Sequence, residues 1–514
     1  MKYSYIILII VLGLFGCTES YLDEFRNDPS NLSGDAFWMD PSNAQKVLTS
    51  AYAELQGNKL YSRELHEPLA LMTHEADLVW LDAEQWNQEN TNAITPRNSH
   101  VEDTWYAFYR VIRDANDVIG HSDLIYSAAT IPKSEADDIL GQAYFIRAFS
   151  YHHLASLYSE AYPFEKPDAP AVPLLLEVAT TDDQFFAPRA SVSEVYAQME
   201  ADFKRAIELL PDNNPRKDLS VDAGRISIYA AHGYLGKIYM FQEEYLNAID
   251  QFEIIFNSGH FSLMDTMSYV YDGSHEFNTE TILEWNYSNL SAAVAQVYQR
   301  GTYNHVTLIH GPKVHPGLFN NFRVSDYSLT RFGDDPRKFE SIVMVGDKVV
   351  ATASGLRLPN RDYPTTRKFY NPNVVENRDP GFTANIVLMR LSDIYLLYAE
   401  AQQALGNDGI AAEYMNKVRR RAYFAPVDVP NDNVDYNISG IALRDSIREE
   451  RWRELHYEGH RWYDIQRWGI VVQELEKVPG SANGQIFPDE FDRYWPIPLE
   501  QIILNPNLTQ NDGY

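Results

Sequence analysis

The 514-residue chain has a single cysteine, Cys17. One thiol can close no disulfide framework and build no cysteine zinc site. Basic residues are few beside acidic ones: 43 Lys and Arg stand against 72 Asp and Glu, a net charge of −29. A surface that acidic repels phosphate backbones, so nucleic acid is not an expected partner. No apolar run reaches the ~20 residues a bilayer-spanning helix needs. Neither Gly-x-Gly-x-x-Gly nor Gly-x-Ser-x-Gly occurs. What is present is an apolar fraction of 45% and an aromatic fraction of 13%, enough to bury a large core.

The first residues read as an address. Ile6 to Phe15 is an apolar run broken only by Gly13 and preceded by Lys2. It is too short to span a bilayer and reads as an export signal. It ends Leu14-Phe15-Gly16-Cys17 before polar Thr18-Glu19-Ser20. A small residue directly before cysteine resembles the bacterial lipobox, in which the thiol is acylated and becomes the new N-terminus. The expectation is a signal peptide over 1–16, lipidation at Cys17, and a tether over 17–34. Several acyl chains on one cysteine attach a protein firmly without embedding it. An ordinary signal peptide with an incidental cysteine is the alternative.

Internal repetition follows. Leu235, Gly236, Tyr239, Tyr245, Ala248 and Phe252 are spaced as in the tetratricopeptide helix-turn-helix. The small residues let paired helices approach, and the large ones fill the seam. A second copy has Leu154, Ala155 and Tyr158, then Phe203, Ala206 and Pro211 after a proline-bearing insertion. A third has Tyr398, Ala399 and Gln402, then Ala411. A fourth pairs a helix at 42–56, started by Asp40-Pro41, with one at 102–121. Each hairpin buries its face only by stacking on its neighbours, so the expected fold is mostly α, a continuous repeat layer. Two long irregular segments, 57–101 and 261–385, interrupt it. Ser341–Val350 predicts a hairpin around Gly346-Asp347.

Residues 447–469 read Ile-Arg-Glu-Glu-Arg-Trp-Arg-Glu-Leu-His-Tyr-Glu-Gly-His-Arg-Trp-Tyr-Asp-Ile-Gln-Arg-Trp-Gly. Charges alternate in sign at helical spacing and interleave with Trp452, Leu455, Trp462, Ile465 and Trp468. The physical reading is a helix-turn-helix locked by ion pairs and aromatic packing, with Trp462 and Trp468 in the core. The chain ends with Trp495-Pro496-Ile497-Pro498 and Asn505-Pro506-Asn507-Leu508. With the lipobox, the Trp105/Asn116 helix and Arg419–Ala422, these segments resemble the SusD/RagB family of Bacteroidetes outer-membrane lipoproteins. The resemblance implies a helical, surface-exposed, non-catalytic protein without cofactor. It implies a SusC-like TonB-dependent outer-membrane transporter as partner, and an oligo- or polysaccharide, or sometimes a peptide, as cargo. It implies a SusD-like repeat region over 35–260 and a C-terminal SusD/RagB region over 261–514, carrying the ligand-side insert 261–385, all one compact unit. A surface glycoside hydrolase, or a scaffold for a transporter, stays open as an alternative.

Other motifs carry less. His456 and His460 are four apart, but Gly459 weakens a helix where a metal site needs rigidity. Asn431, Asn433, Asp435, Asn437 and Ser439 alternate like calcium ligands, yet Tyr436 stands where glycine belongs. No metal site is assigned.

A sugar ring has an apolar face and a polar rim, so its site needs aromatics on loops beside Asp, Asn or Arg. Two inserts qualify. In 74–105 the candidates are Asp77, Trp80, Trp86 and Asn90. Trp86, between Gln85 and Asn87, is expected to be exposed; Trp80 divides evenly between core and site. In 284–323 they are Trp285, Tyr287, Tyr298 and Tyr303, although Thr281–Trp285 also reads as a strand entering the core.

Overall fold

In the computed structural model, Asp40 caps the first long helix by accepting the Ser42 amide at 3.0 Å, with Pro41 in the first turn. The structure describes residues 34–79, 84–128, 130–162, 164–218, 222–287, 321–350, 357–360, 362–368, 384–478 and 493–514. The expected export signal, Cys17 and most of the tether lie outside these residues.

The long helices are α1 (Pro41–Leu55), α2 (Ser99–Gly120), α3 (Lys133–Tyr158), α4 (Val192–Leu209), α5 (Ile228–Phe241), α6 (Tyr245–Asn257), α7 (Leu391–Ala404), α8 (Asp408–Ala422) and α9 (Gly440–Leu455). They pack as four successive hairpins, α1 with α2, α3 with α4, α5 with α6 and α7 with α8. Each hairpin also packs on the next, and α9 closes the stack against α7 and α8. The repeats legible in the sequence are these hairpins. At Gly236 the reason for glycine is direct: a Cβ there would overlap the ring of Phe252 across the α5–α6 seam. One buried apolar cluster runs from Trp38 to Leu508. No helix among the described residues is long and apolar enough to cross a membrane.

The strands are short: β1 (Ala76–Leu78), β2 (Pro170–Pro173), β3 (Arg189–Ser191), β4 (Thr281–Trp285), β5 (Phe322–Val324), β6 (Ile342–Val343), β7 (Lys348–Val350), β8 (Arg357–Pro359), β9 (Thr365–Thr366) and β10 (Ile386–Arg390). They pair antiparallel as β1–β5, β2–β3, β4–β10, β6–β9 and β7–β8. The expected hairpin over Ser341–Val350 is therefore corrected. Met344–Asp347 does turn, with the Asp347 amide on the Met344 carbonyl at 3.1 Å. Its arms diverge because Asn360 enters beside the turn: its carbonyl accepts the Gly346 amide and its amide donates to Asp347. Each arm then pairs with a different later strand.

The closing motif does form a helix-turn-helix, α9 followed by Arg461–Arg467, and Trp462 is fully buried. Its charges, however, do not mainly pair along their own helices. Arg451 reaches Asp393 on α7 and Asp464 across the turn. Arg467 reaches Glu400 on α7 at 2.6 Å. Glu450 pairs with Arg337, and Glu458 with Lys368 and Arg390. These side chains are almost entirely buried, so the motif fastens the 261–385 segment to the repeat stack through desolvated ion pairs. Such pairs must be geometrically complete to offset the cost of taking charge out of water.

Candidate functional site

The two irregular inserts meet. β1, at the head of the 74–105 insert, pairs with β5, at the end of the 284–323 insert, and the register sets Asp77 opposite Arg323. Arg323 Nη2 donates to Asp77 Oδ2 at 2.8 Å and to Asp326 Oδ2 at 3.4 Å. Burial raises the Asp77 carboxyl above its usual range, against the pull of Arg323. The chain leaves this ladder through the Val79 amide, which donates to the Asn321 carbonyl at 2.8 Å. The segment just ahead of β9 also reaches the junction: the Val324 amide donates to the Pro364 carbonyl at 2.9 Å, bringing the exposed Tyr363 beside β5. Asn360 holds that turn through a 2.7 Å bond to the Tyr363 carbonyl.

Trp86 lies on a short helix, Glu84–Asn90, packed beside β1. It is half-buried, not free-standing as its polar neighbours suggested. Its ring sits edge-on to Phe322, centroids 5.3 Å apart. Its indole N–H donates to Glu67 Oε2 at 2.9 Å. Glu67 is fully buried, and desolvation pushes its carboxyl up to about 8. The other end of the helix is tied by Glu89, whose carboxylate meets His100 Nδ1 at 2.7 Å. Burial works against the imidazolium, but Glu89 outweighs it and holds His100 at about 9.

Three sequence candidates are corrected. Asn90 is buried and its side-chain carbonyl accepts the Leu78 amide at 3.2 Å, clipping the helix to β1. Trp285 has no exposed surface; it is packed edge-on against Tyr52, Tyr61 and Phe149. Tyr287 is buried, with its hydroxyl donating to the Gln56 carbonyl at 3.0 Å. None offers a ring face or polar rim to a ligand. Trp285 fills the alternative place its strand pattern allowed, at the end of β4 inside the core. Trp80, Tyr298 and Tyr303 lie outside the described residues.

Arg323, Asp326 and Tyr363 were not selected from the sequence. Arg323 is separated from Asp77 by 246 positions, and no local pattern couples them. Of the weaker motifs, His456 is buried between Phe332 and Trp452 and bonded to Ser328 at 3.0 Å. Asp435 is committed to Arg420 at 2.6 Å.

With this geometry established, comparison with known proteins defines the class. Residues 350–514 match the SusD family, and residues 21–240 match a family described as "Starch-binding associating with outer membrane". A SusD-like protein of Formosa agariphila is 26% identical over 99% of this chain and 98% of its own. Among solved structures, a SusD homolog from Bacteroides thetaiotaomicron has a TM-score of 0.79 at 20% identity, covering 96% of this chain and all of that one. A laminarin-binding SusD-like protein has a TM-score of 0.72 at 22% identity, covering 92% and 99%. The chain belongs to the SusD/RagB family and has the SusD-like fold. This is a family of outer-membrane-associated, glycan-binding proteins without catalytic activity.

Proposed function

We propose that this protein is an outer-membrane lipoprotein, anchored through Cys17 and facing the cell exterior, that captures an oligo- or polysaccharide and passes it unaltered to a SusC-like TonB-dependent transporter. The observation that carries the reading is the junction of the two inserts. Asp77 and Arg323 supply charged hydrogen-bonding groups for a sugar's hydroxyl rim, Tyr363 stands exposed beside them, and Trp86 is held nearby in a fixed orientation. A fixed constellation loses little entropy on binding. The chain's acidic surface leaves a neutral glycan unaffected. Trp80, Tyr298 and Tyr303 fall in the same two inserts of the sequence and are kept as candidate glycan contacts on that composition alone. The lipobox supports the anchor, and likeness to a starch-binding family and a laminarin-binding protein supports the cargo class.

Calorimetry against a panel of soluble polysaccharides tests the site. Trp86→Ala and Arg323→Ala are expected to weaken binding about tenfold each, the scale of one aromatic or charge-assisted contact. Unchanged affinity in both removes the junction as the site. Reducing ends released from the panel by the purified protein would overturn capture without turnover. For the anchor, Cys17→Ala is expected to move the protein from the membrane fraction to the soluble one.

A further inference from the structure

A second corner of the 261–385 segment presents aromatic rings. The 3-10 turn Met267–Val270 buries Met267 and Val270 and leaves Tyr269 41% exposed. His275 stacks on Tyr269, with ring centroids 4.7 Å apart and planes at 26°. Asp272 fixes the imidazole: its carboxylate accepts from His275 Nδ1 at 2.8 Å and from the Ser274 and His275 amides. Helix Arg337–Ser341 packs on the turn, and its Glu340 accepts the Ser268 amide at 3.0 Å. That helix buries Arg337 and Ser341, while Phe339 is 62% exposed.

We infer that Tyr269, His275 and Phe339 form a second carbohydrate subsite, separate from the Asp77–Arg323 junction. The inference rests on the glycan-capture reading above. An aromatic ring offers the C–H face of a pyranose an apolar partner, and carboxylates beside the ring accept from its hydroxyls. Both parts are here: exposed rings, the Asp272 carboxylate bonded to the His275 that stacks on Tyr269, and Glu340, next to Phe339 in the chain, bonded to the Ser268 amide. The bonds to Asp272 and Glu340 hold the base of the patch rigid, so little order has to be bought on binding. A protein partner needs about 800 Å² on each side, with an apolar centre cleared of charge. Rings interspersed with carboxylates fit a small polyhydroxylated ligand better.

The two corners belong to one layer. β5 at the junction bonds Pro364, β9 follows and pairs with β6, and β6 directly continues helix Arg337–Ser341. A glycan long enough to engage both subsites would bind the second intramolecularly and gain affinity without new contacts at the first.

The experiment is calorimetry with short and long oligosaccharides of whichever panel polysaccharide binds, on wild type, Tyr269→Ala, Phe339→Ala and Trp86→Ala. Tyr269→Ala and Phe339→Ala are expected to weaken the long ligand about tenfold and leave the short one unchanged. Tyr269→Phe keeps the ring and is expected to stay within about threefold of wild type. Melting temperatures of the two alanine variants serve as the folding control. Wild-type affinity for the long ligand in both alanine variants, with Trp86→Ala weakened, overturns the second subsite and leaves the junction standing. Unchanged glycan affinity with loss of a co-purifying barrel protein also overturns it, assigning the patch to that partner. No glycan bound by wild type at any length defeats the capture reading itself.

Discussion

Arg390 and Glu280 face each other at 2.8 Å with no exposed surface on either side chain. Arg390 ends β10 and Glu280 immediately precedes β4, so the pair closes the β4–β10 ladder that joins the irregular segment to α7. Glu454 on α9 completes the group by accepting from Arg390, Arg421 and Arg337. Burial opposes the Glu454 carboxylate, yet the three guanidinium groups hold it below the usual range.

Glu454→Gln keeps the shape and removes the charge. Three buried arginines would then share an incomplete set of partners, and the expected loss is about 3–5 kcal/mol. Urea unfolding of wild type and variant measures it. A loss under about 1 kcal/mol would show that the network is not the clamp between the two parts.

Glu67 predicts a stability that falls as pH rises. Its folded pKa is raised to about 8 by burial, whereas an unfolded glutamate titrates near 4.3. Its contribution is therefore fully present below about pH 4.3 and is lost as pH climbs through about 8. Glu67→Gln is expected to flatten the decline in stability across that window. Chemical unfolding at pH 5, 7 and 9 checks it; a profile parallel to wild type contradicts the assignment.

Two glycines separate packing from helix propensity. Gly236→Ala places a methyl against Phe252 and is expected to cost about 1–3 kcal/mol by overpacking. Gly409→Ala, in α8, meets open space and is expected to gain about 0.5–1 kcal/mol. Thermal melts of both variants check the two signs together.

The two tryptophans should also part company. Trp285→Ala opens a cavity in the core and is expected to cost about 3–5 kcal/mol. Trp86→Ala is expected to act first on glycan affinity. Denaturation and calorimetry on both variants test the division, and a reversed pattern would refute it.

The hairpin repeats were legible because their signal is local. Helix pairing leaves small and large residues at fixed spacings, and Gly236 opposite Phe252 is the clearest instance. The Asp40-Pro41 helix start was readable for the same reason. The site was legible only as composition. A polar loop with tryptophan looks alike whether the ring faces water or Phe322, and Trp86 does some of both. Trp285 was misplaced as a candidate because a buried β4 and an aromatic loop share the same residue types.

By themselves, the residues determined the class: an acidic, almost cysteine-free chain with a segment resembling a lipobox, stacked α-hairpins and an Arg/Glu/Trp closing motif. Those features depend on neighbours within a few turns of chain. Tertiary structure alone decided which charges are desolvated together and which insert strands meet. Arg323 finds Asp77, and Arg390 finds Glu280 and Glu454, across tens to hundreds of positions, because folding brings backbone ladders into register. A charge has the same sequence signature on the surface and in the core; only the packing around it sets what it does.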